Sequence, residues 1–145
     1  MSSEDWKDIG EGLIASLAYV GVAVMLLALG FMMLDVLSPG RLSGVIMRDR
    51  NRNAAIVASA GMLGLAIVIG TAVLTTQDDF VTGLVTTAIF GLVGVFLQAV
   101  VFVVVDKLTP GKLGDVVCDS ENHPGSYLIA SSLLAISIIV ATCIS

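Results

Sequence analysis

Long apolar runs, rather than any regular alternation, organise this chain. Four stretches are almost free of charge: Gly12–Leu34, Ala54–Leu74, Phe80–Val105 and Gly125–Ile144. A helix rises about 1.5 Å per residue, so roughly 20 residues cross the ~30 Å hydrocarbon layer of a bilayer. Period-two alternation is absent and the runs are too long for barrel strands. An unpaired backbone amide in lipid costs several kcal/mol, so each run is predicted to be a transmembrane helix. The expected architecture is all-α, an integral membrane four-helix bundle forming a single domain over residues 1–145.

A second pattern lies over the first. DVLSPGRL (Asp35–Leu42) returns as DKLTPGKL (Asp106–Leu113), and a shift of 71 residues overlays 12–74 on 83–145 without a gap, with 17 of 63 positions identical. Self-similarity on this scale predicts two tandem copies of a helix–elbow–helix unit. Two membrane passes return the chain to its starting side, so the copies are parallel, related by a pseudo-twofold along the membrane normal. The elbow has its own local logic. Ser38 and Thr109 are expected to cap helices beginning at Pro39 and Pro110, where a missing N–H costs nothing. Leu42, Val45 and Ile46, like Leu113, Val116 and Val117, follow i, i+3, i+4 spacing, which predicts a short amphipathic helix in the membrane interface.

Charge then orients the bundle. The first connection carries Arg41, Arg48, Arg50 and Arg52 and the third Lys107 and Lys112, whereas TTQDD carries no base and the N-terminus only Lys7. Basic loops stay cytoplasmic, so both termini face outward, N-out and C-out, in a bacterial cytoplasmic membrane. Trp6 and Phe80 mark the outer interface and Tyr127 the inner one. The acidic start, MSSEDWKDIGEG, lacks the basic region of a cleavable signal. Composition agrees: 57% hydrophobic and 13% charged residues are too apolar to cover a soluble domain of 145 residues. A net charge of −5, with no basic patch outside one loop, points away from a nucleic-acid partner. Cys118 and Cys143 should lie ~30 Å apart along helix four, too far for a disulfide.

Candidate chemistry is sparse. Asp35 and Asp106 each end a long apolar helix, where the helix dipole opposes a carboxylate. They are read either as interfacial ion pairs, Asp35 with Arg41 or Arg48 and Asp106 with Lys112, or as a paired-acid cation site near the cytoplasmic side. Gln98, an amide deep in helix three, is expected to make an interhelical hydrogen bond, and Tyr19 to pack. His123 lacks the neighbouring ligands of a metal site and reads as an interfacial turn residue. Small residues four apart recur in register: Gly12/Ser16 with Gly83/Thr87, and Ala60/Gly64 with Ser131/Ala135. Such pairs let backbones approach closely where lipid supplies no hydrophobic drive, either within one bundle or between chains. No phosphate loop, nucleophile–base–acid set or metal cluster is apparent, so no catalytic residue, cofactor or metal is expected.

The doubled D-x-L-[ST]-P-G-[KR]-L elbow, with Asn53–Ala55 opening the second helix, resembles the YjfL-like small bacterial inner-membrane proteins across nearly the whole chain. His123–Pro124 is similar to the actinobacterial branch, although Pro124 stands where the first unit has Asn53. The resemblance implies fold and location and supplies no catalytic residue. The expected function is that of a non-enzymatic membrane subunit, embedded in the lipid bilayer and joined through helix faces to copies of itself or to a larger membrane complex. The alternative is a small-cation or metabolite channel built on Asp35 and Asp106.

Overall fold

The computed structural model describes residues 3–38, 41–75, 79–108, 113–119 and 121–145, with side chains for all of these except 3–6 and 113. Six helices follow in order: α1 (Ser3–Leu37), α2 (Leu42–Met47), α3 (Arg52–Thr75), α4 (Phe80–Leu108), α5 (Leu113–Cys118) and α6 (Gly125–Ile144). No strand occurs among the described residues. Four helices are long and apolar enough to cross a membrane, with mean hydropathies of 2.2 to 2.7. The helix of the first span begins well before the apolar run, at Ser3 rather than near Gly12. Its 35 residues reach ~52 Å, so about 20 Å lie beyond a hydrocarbon layer. Asp8 suits that projecting end, because negative charge near a helix N-terminus complements the dipole.

The long helices form a rhombus. α3 packs on α1, α4 and α6, and α4 also touches α1 and α6, while α1 and α6 occupy opposite corners without substantial contact. Half of the apolar window of α3 is buried, against 17% for α1, so α3 is the centre of the bundle. Interlocking is by leucine into glycine. A Cβ on Gly30 would meet Leu65 Cδ2 at 2.5 Å, and one on Gly61 would meet Leu34 Cδ1 at 2.5 Å. Leu26 fills the space over Gly91 in the same way. Lipid tails are as apolar as leucine, so such close approach, rather than exclusion from water, holds the helices together. The outward faces carry Leu17, Val24, Met25, Val81, Phe96 and Ile139, all more than half exposed. A surface of that kind is stable against lipid and not against water.

The short helices close one end of the bundle. Leu42 and Val45 of α2 and Val117 of α5 are buried in a core shared with Leu34, Phe102 and Ile129. The apolar stripe read from the sequence therefore packs under the bundle, with Arg41 and Arg48 exposed beside it. The expected cap is corrected. α2 starts at Leu42, not at Pro39, and Ser38 instead continues α1, its amide donating to Leu34 O at 3.1 Å. Thr109 and Pro110 lie outside the described residues. At the other end of α2, Asn51 N–H donates to Val45 O across Arg50, whose φ of 51° is left-handed. That bond spans seven residues, one more than the six-to-one bond of a Schellman turn, and closes the helix over an arginine in the left-handed position where glycine is usual.

Candidate functional site

Three polar arrangements break an otherwise apolar molecule. The first joins the two elbows. Asn51 Oδ1 accepts from the amides of Asn53 (2.8 Å) and Ala54 (3.2 Å), which makes Asn51 the N-cap of α3. Its Nδ2 donates across to Asp119 O. Asn53, 2% exposed, donates to Glu121 O at 2.6 Å and Asp119 O at 3.2 Å, and accepts the His123 amide at 3.1 Å. One buried amide thus satisfies three backbone groups of the opposite elbow and holds the two elbows at the same end of the bundle. A cleft of about 540 Å³ between them is lined by Asp49, Arg50, Asn51, Cys118 and Glu121. Burial first, then the charges of Asp115 and Asp49, pushes the Cys118 thiol above its ordinary value, so it stays protonated at neutral pH. Both cysteines are exposed.

His123 performs the task of Asn51 at the start of α6. Its Nδ1 accepts from Gly125 N at 3.0 Å, two residues on, as Asn51 accepts from Asn53. Pro124 has helical angles (φ −56°, ψ −27°), so it serves as the first helical residue and His123 as the cap. The caps stand 72 residues apart, not 71. All seven buried residues of α6 likewise follow buried residues of α3 by 72: Ser126, Ile129, Ala130 and Leu133 match Ala54, Val57, Ala58 and Gly61, and the remaining three continue the series. At a shift of 71 only two of the seven match. One residue turns a helix by about 100°, so the ungapped overlay assigns α6 the wrong face.

The small-residue pairs divide between the inside and the outside of the bundle. Ala60 and Gly64 are buried on α3, and Gly83 and Thr87 on α4. Gly12, Ser16, Ser131 and Ala135 face outward. Ser16 Oγ donates to Gly12 O, and Ser131 Oγ to Leu128 O, so both hydroxyls are satisfied within their own helices.

The second arrangement is the buried seam at Gln98. Its Nε2 donates to Gly61 O on α3 at 3.0 Å and to Ser137 Oγ on α6 at 2.9 Å, and Ser137 Oγ donates to Leu133 O. The interhelical bond expected of Gln98 is present, and it ties three helices together. Gly64 makes room for it: a Cβ there would run into Ser137 Oγ and approach Gln98 Nε2 at 3.0 Å. Gly61 carried no warning in the sequence, and Ser137 stood out there only as a small residue paired with Ala141 four positions on, matching Ala66/Gly70. Among the described residues, Gln98 Oε1, Thr87 Oγ1 and Ser38 Oγ are buried without a partner.

The third arrangement concerns the acids. Asp35 Oδ1 accepts the Ser43 amide at 2.8 Å, so its carboxylate serves as a distant cap for the first turn of α2. Arg41, φ 55°, and Arg48 are exposed, and the carboxylate partner found among the described residues is this amide and neither guanidinium. Asp106 is part-buried near the end of α4, and Lys112 lies outside the described residues. Tyr19 packs edge-on to Phe80, with centroids 6.0 Å apart at 88°. No group of three or more metal-ligating side chains occurs among the described residues.

A helical bundle that presents apolar side chains on all four spanning helices and keeps its polar groups at the elbows and in one internal seam is a transmembrane protein. The chain belongs to the family described as Domain of Unknown Function (DUF350), whose model matches residues 8–144. It is 35% identical to a UPF0719 transmembrane protein of Mycolicibacterium paratuberculosis over 97% of this chain and 93% of that one. It is also 32% identical to a UPF0719 transmembrane protein of Mycobacterium bovis, over 93% of this chain and 89% of that one. No solved structure matches the chain.

Proposed function

We propose that the protein is a non-enzymatic membrane subunit that associates laterally, through helix faces, with copies of itself. In this reading the chain is a duplicated helix–elbow–helix unit, as the likeness to YjfL-like proteins implies. It sits N-out and C-out in the bacterial cytoplasmic membrane with both elbows on the inner side. One observation carries the association: small-residue pairs that serve as internal seams on α3 and α4 recur, unused, on the outside of α1 (Gly12/Ser16) and α6 (Ser131/Ala135). A close-packing face left open toward lipid suits a second helix. A conducting pore is the weaker reading, because the Asp35 carboxylate already holds the Ser43 amide.

The test is purification from the native membrane in mild detergent, with native mass measurement. The expected species is a multiple of the 15.0 kDa chain, shifted toward the single chain by Ala135→Leu. A wild-type protein that runs alone and brings nothing with it overturns the proposal.

A further inference from the structure

The two elbows carry opposite charge. Between Arg41 and Arg52 the first holds four arginines against Asp49, all exposed. From 112 to 123 the second holds Asp115, Asp119 and Glu121, all exposed, against Lys112 alone. The elbows are bound to one another through Asn51 and Asn53, and that contact uses backbone carbonyls of the acidic elbow; the carboxylates stay exposed, with Asp119 Oδ1 accepting the Glu121 amide at 3.1 Å. Among the described residues no ion pair joins the arginines to these acids within the chain.

We infer that the elbow surface is a charge-complementary docking face for a second copy of this chain, with Arg48 and Arg50 of one copy opposite Asp119 and Glu121 of the other. The inference rests on the self-association proposed above and names what sets its geometry. Copies of one membrane chain share one topology, so their elbows lie at one depth whichever lateral faces meet. A surface with a positive and a negative half at that depth is self-complementary. A twofold axis along the membrane normal brings each basic elbow to the acidic elbow of the neighbour, and the contact forms twice. Such pairs contribute register and partner choice more than affinity, because water reaches them and salt screens them. The small-residue face of α6, which leaves the acidic elbow directly, supplies close packing beside them.

The test uses the full chain in vesicles of neutral phosphatidylcholine, with two labelled populations and energy transfer between them. Arg48→Glu with Arg50→Glu makes both elbows acidic, and Asp119→Arg with Glu121→Arg makes both basic. Each variant alone is expected to self-associate roughly tenfold more weakly than wild type. Mixing the two restores transfer, because each basic elbow again meets an acidic one at both contacts. A chain carrying all four reversals also associates as wild type does.

Wild-type association that neither variant changes overturns the elbow face and leaves lateral packing standing. A wild type that does not associate overturns both. Loss in the variants that neither the mixture nor the fourfold chain restores overturns the elbow face. An arginine variant that loses only its response to added anionic lipid, with the acid variant unaffected, makes the basic elbow a headgroup site and overturns it as well.

Discussion

Gly64→Ala is the sharpest perturbation of the bundle. The added methyl would run into Ser137 Oγ, lie 2.9 Å from Ser137 Cβ and lie 3.0 Å from Gln98 Nε2. None of these atoms can retreat easily, since Gln98 is held by Gly61 O and Ser137 by Leu133 O. Alanine in place of glycine favours the helix by about 1 kcal/mol. Against this stand overpacking, about 1–3 kcal/mol, and the strained Gln98–Ser137 bond, about 0.6–1.7 kcal/mol. The net expectation is a loss of about 1–3 kcal/mol. Gly70→Ala on the same helix is the control: a methyl there meets nothing within 4 Å, so that variant should be neutral or slightly more stable. The assay is reversible unfolding in mixed micelles titrated with sodium dodecyl sulfate, followed by far-ultraviolet circular dichroism. Ser137→Gly should partly rescue Gly64→Ala, with a coupling of about 1 kcal/mol. Equal midpoints for Gly64→Ala and Gly70→Ala would refute the close approach of α3, α4 and α6.

Two further outcomes test the elbows. Asn53→Asp removes the donor that two carbonyls share and should cost about 2–4 kcal/mol, with faster amide exchange across 119–125 and little change in α1; unchanged exchange there would remove the elbow clasp. Cys118 should react slowly with a maleimide near neutral pH, because its raised pKa leaves little thiolate. Replacing Asp49 and Asp115 by asparagine removes two negative neighbours, lowers that pKa and speeds labelling at fixed pH; identical rates would show that the acids do not act on the thiol.

The sequence by itself determined the number of spanning helices and where the elbows between them fall. Charge-free runs of 20 or more residues leave the backbone one way to satisfy itself in lipid, so the four helices were legible from composition and length. Gln98 stood out for the same reason, as an amide where lipid offers no partner. Which way each helix faces was not legible. On a soluble helix, water against core writes the buried face into the pattern, but here both sides of a helix are apolar because lipid and protein interior are equally so. Only the tertiary structure decided that α6 is turned one residue from the overlay, so that Ala60 and Gly64 are buried while Ser131 and Ala135 face outward. It also decided that His123 caps α6, that Asp35 holds the Ser43 amide and that Ser137 receives Gln98. Those outcomes depend on distances of a few ångströms between segments far apart in the chain, and hydropathy, which counts residues without placing them against one another, carries no record of them.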